Sequence, residues 1–197
     1  MMARVLSPER KDKFMQAALK LFVEKGVPNT TTAEITSAAG SAAGTLFLYF
    51  PTKLDLVNEL IVTVAAQQTQ AINALVDPSS SAREMFSAIW NASIGWFRDH
   101  PDAYLYVLQV RDSGMVSPAV VEETNRAFAF YYNAIQKGFA EGSLKPYPLE
   151  LIGGILYQQI VAVMNLVRTQ PDPSLCDGYI RQGFEIFWNG IKSEEEK

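Results

Sequence analysis

Helix-stopping residues recur along this chain at spacings that leave room for helices and little else. Gly26, Gly40, Pro51, the run Asp77-Pro78-Ser79-Ser80-Ser81, His100-Pro101, Ser113-Gly114, the stretch Ser143–Pro148 and Gln170-Pro171-Asp172-Pro173 cut it into segments. Inside nearly every segment apolar side chains return at three- and four-residue steps, and none shows the alternation of a half-buried strand. The expected fold class is all-α, with about nine helices. Ser7-Pro8-Glu9 opens the first with a hydroxyl cap, a proline whose missing N–H is harmless there, and an acid near the positive helix end. Phe14, Ala18, Leu21 and Phe22 then share a face until Gly26. Thr31 and Glu34 form a capping box for a short second helix that stops at Gly40. A third short helix runs from Gly44 to Phe50, and Pro51-Thr52-Lys53 restarts the chain into a long one reaching about Leu75. Later helices are expected over 82–99, 102–112, 118–140, 148–169 and 174–192.

Charge divides the chain into two unlike parts. The net charge of −4 hides seven basic against four acidic residues in 1–53, which is +3, and ten against seventeen in the remainder, which is −7. A basic end on an acidic body suits nucleic-acid binding without establishing it. Cys176 is the sole cysteine, so no intrachain disulfide framework exists and a reducing compartment fits. The N-terminal MMARVLSPERKDKF lacks the apolar run of a signal peptide. Leu151–Val167 is the most apolar stretch, but Gly153, Gly154, Gln158, Gln159 and Asn165 interrupt it, and it reads as too short and too polar for a membrane span. The expectation is a cytoplasmic protein with no membrane partner.

The most informative segment is Gly26–Phe50. Two short helices meet at Ala38-Ala39-Gly40, where small side chains permit close approach and Gly40 can adopt the left-handed turn conformation. That is a helix-turn-helix, whose second helix can lie in a major groove of DNA.

Glycine, Thr-Thr, an apolar residue, Ala-Ala-Gly, then Gly-Thr-Leu-aromatic-x-Tyr-Phe-x-x-Lys resembles the TetR family of bacterial regulators. Here the pattern is carried by Gly26, Thr30-Thr31, Ile35, Ala38-Ala39-Gly40, Gly44-Thr45-Leu46-Phe47, Tyr49-Phe50 and Lys53. Motif similarity covers about residues 8–60; beyond it only helix count, helix lengths and total length agree. The resemblance implies a DNA-binding domain over 8–53, with its helix-turn-helix at 31–50, and a ligand-binding and dimerisation domain over 54–192. It implies a homodimeric, ligand-responsive repressor that leaves double-stranded operator DNA when a small apolar or amphipathic effector binds. No cofactor and no metal are implied. Carried over by position, Thr45, Tyr49 and Lys53 contact phosphates with help from Thr30 and Thr31, while Ala43, Gly44 and Phe47 face base edges.

Ala42 and Ala43 depart from the family, standing where a polar residue is common, and Phe47 replaces the commoner tyrosine. Readout would then lean on thymine methyls and DNA shape. Bland readings remain open: Phe47 packing on the first helix, Lys53 as an ordinary helix-start lysine, and Thr31 as a cap only.

Residues 80–170 are dense in aromatics, most of them core. The resemblance implies an effector cavity among the helices between residues 53 and 169, with Trp96, Tyr104, Arg111, Phe128, Tyr131 and Gln158 as candidates. Arg111 would pair with an anionic ligand, or merely with Asp112 or Glu122. Ile180, Gly183, Phe184, Phe187 and Ile191, together with Leu151 and Ile155, are the candidate dimer contacts; the alternative is that these helices close a monomeric core. An enzyme is disfavoured: His100, the sole histidine, lies in a His-Pro turn, Cys176 has no histidine near it in sequence, and no metal-ligand cluster, phosphate loop or nucleophile elbow appears. A third reading is a helical ligand carrier whose head has lost DNA.

Overall fold

The computed structural model describes residues 6–194, apart from the side chain of Ala129. It is helical throughout the described residues, with one isolated bridge between Leu144 and Lys192. The helices are α1 (Pro8–Lys25), α2 (Thr32–Ala38), α3 (Lys53–Asn73), α4 (Ala82–Asp99), α5 (Pro101–Val110), α6 (Pro118–Ala127), α7 (Ala129–Ala140), α8 (Leu149–Thr169) and α9 (Pro173–Ile191).

Helix starts follow the expected side-chain chemistry. Ser7 caps α1 and accepts the Arg10 N–H at 3.3 Å. Thr31 and Glu34 close the expected box on α2, each accepting the other's backbone N–H. Thr52 and Asp55 repeat this device at α3, and Ser81 and Glu84 at α4.

Two compact units result. The first comprises the chain up to Ala65 together with His100–Thr124, the second Ala66–Asp99 together with the chain from Asn125 onward. In the first unit α1 lies against α2 and α5, burying Phe14, Phe22, Ile35, Leu46, Phe50 and Tyr104. Tyr106 stacks on Phe22 at 6.0 Å, and its hydroxyl donates to the Val57 carbonyl at 2.8 Å. Burial pushes that phenol's pKa upward, so it stays a donor. In the second unit α4 packs on α7, α8 and α9. Trp90, wholly buried, stacks on Phe187 at 6.4 Å, and its Nε1 donates to the Ile180 carbonyl at 3.0 Å. By length and composition α8 is long and apolar enough to cross a membrane, contrary to the reading of Leu151–Val167 as too short. It nevertheless sets Ile152, Leu156, Ile160 and Met164 inward and lies along α9.

Two expected helices differ. The third shrinks to a single 3-10 turn over Thr45–Leu48, started by Gly44 in the left-handed region (φ 80°) with no side-chain cap. Phe50 precedes Pro51, which disfavours helical backbone at that position, so little chain is left in which to wind an α-helix. The expected single helix over 118–140 breaks at Phe128 (φ −90°, ψ 20°) into α6 and α7. At the break the rings of Phe128, Phe130 and Tyr131 cluster, their centroids 4.5–5.9 Å apart. Helical periodicity runs unbroken through that segment and carries no mark of such a cluster.

Candidate nucleic-acid interface

The helix-turn-helix presents an apolar tip. Leu46 and Phe50, four residues apart, point into the core, and two of the three side chains between them turn outward: Phe47 is 51% exposed and Leu48 54%. Ala42, Ala43 and Gly44 precede them on the exposed surface. Phe47 is thus at most partly covered, not enclosed as a core residue against α1 would be. Leu48 had no assigned role, although the same four-residue spacing of Leu46 and Phe50 predicts its exposure.

Tyr49 sits half-buried at the edge of this tip. Its ring lies 5.5 Å from that of Phe14, and its hydroxyl accepts the Ser7 backbone N–H at 3.1 Å. An oxygen that accepts there still has its own hydrogen to give. Thr45 is half-buried beside it.

The two threonines before α2 are not alike. Thr31 is exposed, and its hydroxyl lies 2.8 Å from Glu34 Oε2. Thr30 is 1% exposed, and its hydroxyl donates inward to the carbonyls of Gly26 (2.9 Å) and Leu21 (3.2 Å). The expectation that the Thr30 side chain meets a phosphate is corrected accordingly: it holds the α1–α2 loop. Lys53 is also turned inward. Its ammonium donates to the carbonyls of Val27 (2.9 Å), Thr30 (3.0 Å) and Pro28 (3.4 Å), which uses all three of its hydrogens.

Glu34 is the electrostatic centre of the motif. Lys25 bonds its Oε1 at 2.6 Å, and the Thr31 N–H bonds its Oε2 at 2.8 Å. The lysine first, then the two donors of Thr31, hold this carboxyl down at about 2.

Residues 14–60 match the family model for bacterial regulatory proteins of the tetR family, and residues 61–193 match the tetracyclin repressor-like C-terminal domain. The chain belongs to the TetR family. It is a DNA-binding transcriptional regulator. Over 90 residues it is 37% identical to the HTH-type transcriptional regulator LuxR of Vibrio harveyi, a match that spans 45% of this chain and 44% of LuxR. It is 26% identical over 141 residues to the HTH-type transcriptional repressor KstR2 of Mycolicibacterium smegmatis, covering 70% of this chain and 68% of KstR2. A crystal structure of a TetR-family regulator from Shewanella sp. PV-4 superposes with a TM-score of 0.87 at 28% identity, over 94% of this chain and 99% of that one.

The TetR-family chain scatters its expected effector residues. Tyr104 (1% exposed) and Arg111 (exposed) belong to the first unit; Trp96, Phe128, Tyr131 and Gln158 belong to the second. Trp96 lines a trough of about 480 Å³ with Ala71, Leu75, Ala88 and Ala92. The Tyr131 hydroxyl lies 3.4 Å from that of Ser93, which is buried on α4. Gln158 is exposed, whereas its neighbour Gln159 turns inward and leaves a buried Oε1 without a hydrogen-bond partner among the described residues.

The expected dimer residues also divide. Leu151 (48%) and Ile155 (39%) are exposed on α8. Phe184, Phe187 and Ile191 are buried within their own unit, and Gly183 faces Trp90 and Val163 of the same chain. Gly183, Phe184 and Phe187 meet Phe86 and Trp90 of α4 and Val163 of α8, and Ile180 is half-buried with them. The apolar stripe of α9 thus faces the interior of its own unit. On α9 the apolar residues that remain outward are Leu175 (47%) and Ile186 (65%).

Proposed function

We propose that this regulator is a homodimeric repressor that grips operator DNA through the tip Ala43–Leu48 and lets go when a small apolar or amphipathic molecule enters the second unit. The observation that carries the reading is the joint exposure of Phe47 and Leu48 beside a Tyr49 hydroxyl that still has a hydrogen to donate. Large apolar side chains at the end of a helix-turn-helix suit thymine methyls in a major groove, while Tyr49, Thr45 and Thr31 reach phosphates. Lys53 and Thr30 act one step behind, holding the loop that carries Thr31.

Two half-sites on DNA lie one turn, about 34–36 Å, apart and call for two copies. The surface best suited to join them is the exposed apolar row of Leu151, Ile155 and Leu166 on α8 with Leu175 and Ile186 on α9. Repression agrees with the repressor KstR2 among the relatives. Operator binding places the work in the cytoplasm. For the effector, Phe128, Tyr131 and Gln159 are the residues of the second unit to vary first.

Release works through α3, whose chain runs from the first unit into the second. An effector moves the equilibrium only if it binds the released shape more tightly than the DNA-bound one. Lys11 and Glu59 already join α1 to α3 at 2.7 Å. A covalent link between these two positions should preserve DNA binding and abolish release. The founding experiment is titration of the intergenic DNA beside the gene at several salt concentrations. Saturable binding that falls steeply with salt and is lost in the Tyr49→Phe, Phe47→Ala double variant supports the reading. Wild-type affinity in that double variant sinks it.

A further inference from the structure

Two clefts of the second unit share a wall on α4. One, of about 450 Å³, lies between α4 and α9 and carries Arg83, Arg98 and Arg181 over Ile94, Ile180 and Phe184. The other is the apolar trough in which Ala71 and Leu75 face Ala88, Ala92 and Trp96 of α4. Asn91 and Gly95 border both. A Cβ added at Gly95 would have nothing within 4 Å, so the ridge between the clefts is low there.

The arginines are not equivalent. Arg83 is tied to Glu185 at 2.7 Å and lies over the Phe184 ring at 5.8 Å. Arg98 and Arg181 are exposed, and among the described residues neither has an ion-pair or hydrogen-bond partner. Asp177 and Asp99 line the clefts without bridging to either one. An open guanidinium pair offers planar donors suited to a carboxylate or phosphate. Leu75, 66% exposed at the mouth of the apolar trough, is surface that an aliphatic chain would cover.

We propose that this paired cleft is a surface site for an amphiphilic anion, its head between Arg98 and Arg181, its chain crossing the Asn91–Gly95 ridge into the trough lined by Trp96. The site stands apart from the interior of the second unit and from DNA release, and is tested without DNA. Trp96 lines the trough and reports its occupancy by fluorescence.

The probes are dodecanoate and dodecyl phosphate, with dodecanol as the headless control, titrated below micelle formation into the full chain. Both anions should bind saturably, and dodecanol tenfold or more weakly, as befits the loss of a charge-assisted contact. Binding of one anion only assigns the head as carboxylate or phosphate. Arg98→Gln with Arg181→Gln removes exposed, unpartnered charges and should weaken both anions at least tenfold with an unchanged circular dichroism spectrum. Ala88→Phe, which fills the trough, should lower affinity for dodecyl phosphate and leave that for a short-chain analogue, ethyl phosphate, unaltered. Equal binding of dodecanol, or wild-type affinity in the double arginine variant, overturns the proposal. Operator release is scored in a separate experiment, so a failure here leaves the repressor reading untouched.

Discussion

The ammonium of Lys53 donates to the carbonyl of Val27 at 2.9 Å across 26 residues of chain, so the first residue of α3 ties down the loop that introduces α2. A lysine at a helix start opposes the helix dipole. Three carbonyl acceptors offset that penalty and explain its place there without a phosphate.

Lys53→Met should therefore lower stability by about 1 kcal/mol, because it leaves the carbonyls of the buried Val27 and Thr30 without this donor. DNA affinity should fall while the slope of log K against log salt stays that of the parent. A slope reduced by about one unit would instead show that the lysine leaves the loop for a phosphate.

Tyr49→Phe removes one hydroxyl donor and one acceptor for Ser7. Folding should change little, since Ser7 is half-exposed and its N–H can turn to water. Operator affinity should drop about tenfold at moderate salt, the usual worth of a hydrogen bond to a charged oxygen. Equal loss on random-sequence DNA is expected, because phosphate contacts carry no sequence information.

Phe47→Ala and Leu48→Ala should behave in the opposite way. Both side chains are more than half exposed, so melting temperature should barely move. Affinity for the operator should fall toward that for random DNA, measured by competition. Parallel loss on both DNAs would show that the tip makes no base contact.

Much of this was legible in the residues. Cap chemistry at Ser7 and Thr31 and the stops at glycine and proline located most helices, because those signals are local. What escaped was direction. The Phe184, Phe187, Ile191 spacing announces an apolar stripe, and nothing in a period says whether Trp90 or a second copy will cover it. The inward turn of Thr30 and Lys53 was hidden for a related reason. Their acceptors are main-chain carbonyls, which every residue has and no sequence motif marks.

Acid should loosen the motif at Glu34. The folded carboxyl titrates at about 2, below its ordinary value of 4.5, so its contribution is complete above about 4.5 and is lost as pH falls toward 2. Helix content of the first unit should decline over that window more steeply in the parent than in Glu34→Gln, which has no charge to lose. Lys25→Ala removes the largest cause of the shift and should move the midpoint upward, read by NMR of the carboxyl carbon.

Gly183 tests the direction of α9. A Cβ there would sit 2.6 Å from Val163 Cγ2 and 2.8 Å from Trp90 Cζ2, and the indole cannot retreat without breaking its bond to Ile180. Overpacking of this kind costs about 1–3 kcal/mol, against up to about 1 kcal/mol gained from alanine's helix propensity. Gly183→Ala should be net destabilising in denaturant unfolding and should perturb tryptophan fluorescence of the native state. Gly178→Ala, on the same helix with nothing within 4 Å of the added carbon, should gain the propensity and leave the fluorescence alone. Because Trp90 and Val163 belong to the same chain as Gly183, the loss in Gly183→Ala should not depend on protein concentration. A loss that deepens on dilution would return the glycine to the interface between copies.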